Sequence, residues 1–150
     1  MENTVKEVAA RFQIEGDFIK AEPFGSGHIN DTYKVVYTLD GKNTKYIFQK
    51  INTRVFRHPD HLMENVSRVL AHSVKKLEGF PDAERRCIHL IPIRDGRMYY
   101  LNGEECWRAY KFVDNARTYN ILETEEQAYQ AAKAFGNFQM LLSDLPGERL

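Results

Sequence analysis

A chain of 150 residues has the length of one ordinary domain, and 43% hydrophobic with 12% aromatic residues describes a folded protein rather than a disordered one. Lys plus Arg equals Asp plus Glu, 21 against 21, so the formal net charge is zero and no overall field draws the chain to nucleic acid or to a membrane surface. No apolar run approaches the roughly 18 residues of a membrane span, and residues 1–12 mix Glu, Lys and Arg with isolated apolar positions, unlike a secretory leader. Cys87 and Cys106 are the two cysteines, neither with a second ligand at metal spacing. They read as reduced thiols of a cytoplasmic protein, a single disulfide being the alternative.

In chain order, Val5, Val8, Ala9 and Phe12 fall at helical spacing over residues 3–12. Phe18, Ile19, Ala21 and Phe24 read as a strand running into Gly25-Ser26-Gly27-His28-Ile29-Asn30. Residues 32–39, rich in Tyr, Val and Thr, form a second strand; Asp40-Gly41 is a hairpin signal, and residues 45–51 return. Pro59-Asp60 opens a helix whose apolar stripe is Leu62, Val66, Val69, Leu70, Val74 and Leu77. A polar connection over residues 79–86 contains Pro81. Residues 88–93 and 97–101 flank Asp95-Gly96, a second hairpin signal, and Asn102-Gly103 leads into a strand over 106–113. After a polar linker, Thr124 with Gln127 fits a capping box for a helix over 125–142, with Ala128, Ala131, Phe135, Phe138 and Leu142 as its apolar face. Pro146-Gly147 ends it. No internal repeat or low-complexity segment is present.

The predicted fold is α+β: a five-stranded antiparallel sheet with one crossing helix, preceded by a short helix and followed by another. Such a sheet is the nucleotide-binding lobe of a kinase-like fold, here residues 1–113, with a hinge at 114–123 and the start of a second lobe at 124–150. A generic α+β sandwich is the alternative.

The glycine turn carries the chemistry. Gly25 and Gly27 let a hairpin backbone approach an anion, with Ser26, His28 and Asn30 at hand. Asn30 stands where a dinucleotide fingerprint needs glycine, and a strand follows where that fingerprint and a Walker loop need a helix. A clamp on nucleotide phosphates between two strands remains, against the plain reading of a glycine hairpin. Alternation puts Phe48 and Lys50 on one strand face, aromatic against a base and ammonium against phosphate, with Gln49 on the other face as competitor for the phosphate. Glu64 or Asn65 on the following helix is placed to hold that lysine, and Phe112 and Val113 to border the base. Each has a plainer reading: surface lysine, solvated helix glutamate, aromatic core strand. His58, Asp60 and His61 invite a metal, but Pro59 separates the histidines and no further ligand follows, so no metal site is expected.

The runs Phe24–Tyr33, Tyr46–Asn52, Val55-Phe56 and Leu62–Asn65 resemble the aminoglycoside phosphotransferase-like kinases, the N-acetylhexosamine kinase branch above all. Residues 107–112 and 134–139 resemble that branch's last sheet strand and first second-lobe helix, so the likeness covers nearly all of residues 12–150. The resemblance implies ATP- and Mg2+-dependent phosphorylation of a small hydroxyl compound, the anomeric hydroxyl of an amino sugar. It places Gly25–Asn30 over the nucleotide phosphates, Lys50 in contact with them, Glu64 or Asn65 behind Lys50, and Val113 at the adenine.

The family's aspartate base and Mg2+ ligands belong to a second lobe, so the resemblance puts the catalytic aspartate beyond Leu150. Asp144, followed by Leu145-Pro146, is no substitute. The expectation is therefore a truncated kinase lobe that binds nucleotide, lacks the sugar site and is catalytically inactive alone. The alternative is a stand-alone module that senses nucleotide or docks a partner, with self-association through the helix at 125–142.

Overall fold

The computed structural model describes residues 1–147. In chain order they form α1 (Glu2–Ala9), β1 (Asp17–Pro23), β2 (Asp31–Leu39), β3 (Lys42–Ile51), α2 (Pro59–Leu77), α3 (Ala83–Arg86), β4 (Leu90–Ile91), β5 (Tyr100–Asn102), β6 (Glu105–Lys111) and α4 (Glu125–Leu141). The strands make one sheet in the order β1-β2-β3-β6-β4, with β5 also paired to β6, and every pairing is antiparallel. The α+β class and the antiparallel sheet are as expected from the sequence.

The β2–β3 hairpin forms where Asp40-Gly41 announced it. Both residues take positive φ, 51° and 74°, the backbone a two-residue hairpin turn requires. The region after α2 differs from expectation. Asp95-Gly96 does turn the chain: the Gly96 amide donates to Ile93 O at 2.9 Å and the Ile93 amide to Arg97 O at 2.7 Å. Its flanks, however, do not pair into a long hairpin. Pro92 O accepts from the Gln13 amide at 2.8 Å, the Arg94 amide donates to Arg11 O at 3.0 Å, and Phe12 bridges Ile93. The segment after α1 thus captures residues 92–94. β4 and β5 remain as two short pieces sharing one edge of β6, β5 opposite Glu105–Trp107 and β4 opposite Ala109 and Tyr110.

The chain divides into two compact units, Met1–Ser67 with Ile88–Phe112, and Arg68–Cys87 with the residues from Val113 onward. Helix α2 gives its first half to one and its second half to the other.

In the first unit, strand alternation sorts the sheet into two faces. One carries Val35, Tyr37, Phe48, Trp107 and Ala109, and α1 covers it with Val5, Val8 and Ala9, followed by Phe12. Phe12 meets Phe48 edge to face, ring centroids 5.1 Å apart. The other face carries Ile51 and Cys106, packed against Met63 of α2 with Phe56, Leu62 and Val66 around them. Burial pushes the Cys106 thiol up to about 11, so it stays a neutral core group. Neither Cys87 nor Cys106 forms a disulfide.

In the second unit, α3 replaces part of the expected polar connection, and Arg85 donates to Asp114 O at 2.9 Å. Thr124 caps α4 by accepting from the Gln127 amide at 3.2 Å, while the Gln127 side chain accepts from the Glu123 amide at 2.7 Å, one residue earlier than in a strict capping box. Asp144 pairs with His72 and Lys76 of α2. No α4 residue is buried, and Tyr129, Phe135, Phe138 and Met140 lie open.

Candidate functional site

The glycine turn joins β1 to β2 and stands open. Gly25 takes φ +83°, a backbone that side chains rarely adopt, and a Cβ added at Gly25 or Gly27 would meet nothing within 4 Å. Ser26, His28 and Ile29 are exposed with it. The far end of the turn is pinned: Asn30 Oδ1 accepts from the Asn52 amide at 3.0 Å, and Asp31 then opens β2 opposite Lys50 of β3. The turn therefore overhangs the end of the sheet where β3 carries Gln49 and Lys50.

Those neighbours face opposite ways. Lys50 lies on the α1 face, opposite Trp107, with its ammonium 2.5 Å from Glu105 Oε1. Glu105 Oε2 accepts from Trp107 Nε1 at 3.2 Å. Lys50 first and Trp107 second hold the Glu105 carboxyl below the ordinary carboxylate range. The sequence placed Glu64 or Asn65 behind Lys50; in the structure the ion-pair partner of Lys50 is Glu105. Glu64 and Asn65 are on α2, which packs against the other face, and Glu64 is exposed beside Asp60, His61 and Arg97 in a shallow pocket of about 530 Å³. The partner chosen by the sheet is Glu105, because β5 and β6 turn back at Asn102-Gly103 and place it beside the end of β3.

Phe48, placed against a base by the sequence, shares Lys50's face as the alternation says and is fully buried, its ring against Phe12. Phe112 is half-buried and meets Phe24 at 5.6 Å, and its amide donates to Lys45 O at 3.1 Å. Val113, the next residue, is half-buried and begins the second segment of the second unit. The catalytic aspartate that the resemblance puts beyond Leu150 lies outside the described residues, as does Leu150 itself.

The α2 face at the turn's end of the sheet is polar. Thr32, Gln49 and Arg108 stand opposite one another on β2, β3 and β6. Gln49 Nε2 donates to Thr32 Oγ1 at 3.1 Å, and Gln49 Oε1 accepts from Arg108 Nε at 3.0 Å and Nη2 at 2.9 Å. Arg108 Nη1 lies 4.0 Å from Met63 Sδ. Burial holds the Arg108 guanidinium below its usual pKa, and among the described residues no carboxylate pairs with it. Arg108 was not among the site residues expected from the sequence. Its signal was one cation on the inward-facing register Cys106, Arg108, Tyr110, Phe112, where a charge is rare unless something answers it.

His58, Asp60 and His61 do converge, their ligand atoms within 4.8 Å of one another and all three exposed. Two imidazoles and one carboxylate suit a borderline transition metal rather than Mg2+, which prefers oxygen ligands, so this cluster does not fit Mg2+. No helix of the described residues is long and apolar enough to cross a membrane.

The described residues thus form an antiparallel sheet with a glycine turn at one end and a helix on each face. Among solved structures, the chain is similar to spectinomycin phosphotransferase APH(9)-Ia, crystallised with ADP and spectinomycin. The TM-score is 0.63 at 14% identity, over 99% of this chain and 39% of that one. The likeness is one of fold, and the chain spans 39% of that protein's length. No protein-family model matches the chain.

Proposed function

We propose that this chain is the nucleotide-binding part of an ATP-dependent phosphotransferase acting on a hydroxyl of a small molecule, an amino sugar by the sequence resemblance. The observation that carries the reading is the open glycine turn at the end of a sheet whose fold matches a phosphotransferase solved with ADP. The nucleotide lies on the α2 face, since α1 fills the other with apolar side chains. Gly25 to Asn30 cover its phosphates, Gln49 rather than Lys50 is the contribution of β3, and Phe112 borders the base. ATP fits such a site. Mg2+, the aspartate base and the sugar pocket are assigned to residues outside these 150.

Titration of the purified chain with ADP and ATP tests this. Saturable binding with no phosphoryl transfer to N-acetylhexosamines is the expected result. Absence of nucleotide binding, or robust sugar phosphorylation by the chain alone, overturns it. A second reading, an interaction module without catalysis, is favoured by the exposed apolar side chains of α4, and it predicts self-association that depends on Phe135 and Phe138.

A further inference from the structure

Arg108 is a half-buried guanidinium on the α2 face of the sheet whose hydrogen bonds go to a neutral carboxamide. A half-buried cation without a carboxylate is costly to keep, and a fork-shaped one is suited to a two-oxygen anion. One oxygen of Gln49 takes both Nε and Nη2, and Thr32 takes the other end of the same carboxamide, so the group is aimed rather than neutralised. The remaining N–H donors of the fork have no acceptor among the described residues beyond the weak Met63 sulfur contact. The row also begins beside the glycine turn: Thr32 follows Asn30 by two residues, and Asn30 is tied to Asn52 at the end of β3.

We propose that Arg108 binds a phosphate of the nucleotide on the α2 face of the sheet, with Gln49 as its positioning residue. This rests on the nucleotide-binding reading above and adds the group that recognises the phosphate. The task falls to β6, a strand whose sequence otherwise presents as core. Lys50, satisfied by Glu105 on the other face, takes no part.

The test is calorimetric titration of the purified chain with ADP and with adenosine, for wild type and for Arg108→Gln, Gln49→Glu and Lys50→Ala. Gln49→Glu supplies the missing carboxylate, so it neutralises Arg108 while leaving the row hydrogen-bonded and the chain folded, as thermal melting will show. Wild type should bind ADP at least about tenfold tighter than adenosine, roughly the effect of one charge-assisted contact. Arg108→Gln and Gln49→Glu should abolish that difference and leave adenosine binding as it was, whereas Lys50→Ala should keep it. Equal affinities for ADP and adenosine in wild type, or an unchanged preference for ADP in both variants, overturn the assignment and leave the nucleotide reading standing. Failure of wild type to bind either ligand overturns both.

Discussion

The pair at the end of β3 shows how much one register decides. Lys50 and Gln49 are adjacent in sequence and similar in reach, yet one lies among Tyr33, Phe48 and Trp107 and the other between Thr32 and Arg108. Alternation was legible in the sequence, including that Phe48 and Lys50 share a face. Which face α1 would cover was not, because that depends on Phe12 reaching Ile93, a contact across 81 positions of chain (93 − 12). The partner of Lys50 was illegible for the same reason, since Glu105 arrives from a strand 55 residues away. The resulting ion pair is about one-third exposed on both sides, so it contributes on the order of 0–1 kcal/mol after solvent screening. Its sign with pH is fixed by the lowered pKa of Glu105. The contribution is complete above the ordinary glutamate pKa of about 4.3 and is lost as pH falls through the lower folded value. Glu105→Gln, which keeps an acceptor for Trp107, should therefore shift stability slightly at neutral pH and flatten its decline on acidification. Urea unfolding at neutral and acidic pH reads this, and an acid limb as steep as wild type would assign that decline to other carboxylates.

At the scale of elements, local chemistry predicted well wherever the turn or cap was self-contained. Asp40-Gly41, Asn102-Gly103 and Thr124 each act within a few residues: both turns form where the sequence reads them, and Thr124 caps α4, with Gln127 reaching back to Glu123 instead of Thr124. The failure at residues 88–101 is one of competition. The strand potential of that segment is real, but Gln13 and Arg11 take its hydrogen bonds at Pro92 and Arg94 first. One element boundary leaves no freedom at all. Gly16, entering β1, has φ +93°, and a Cβ there would stand 2.2 Å from Thr38 O, a backbone atom that β1–β2 pairing holds in place. Gly16→Ala combines a disfavoured φ with that collision, so it should cost well over about 1 kcal/mol, more than an ordinary glycine substitution gains from stiffening the unfolded chain. Chemical denaturation measures it directly. A neutral result would mean that β1 can shift along β2, and that the glycine turn following β1 is not held where the nucleotide reading needs it.

For the whole molecule, the two units differ in how they hold themselves together. Among the described residues, the buried hydrophobic core lies almost wholly in the first unit, with Leu77 its single representative in the second. Sheet β2-β3-β6 is hydrogen-bonded along its length and covered by α1 on one face and the first half of α2 on the other. α4 buries no residue, and among the described residues its ties are the Thr124 cap, a hydrogen bond from His72 Nε2 to Leu141 O at 3.1 Å, and the pairs that exposed Asp144 makes with half-buried His72 and Lys76. Exposed ion pairs add little, and an isolated helix of 17 residues with glycine inside it is marginal in water. Hydrogen exchange should therefore separate the units. Amides of β2, β3 and β6 should exchange only through global unfolding, while those of α4 exchange by local opening at least about a hundredfold faster, the gap expected between a core element and a frayed one. Adding ADP should slow exchange further in β1 to β3 and around Arg108 and leave α4 unchanged, since the proposed nucleotide site is built from the first unit's strands. Equal protection of α4 and the sheet would show that α4's apolar side chains are covered in solution, and would favour the interaction module over nucleotide binding.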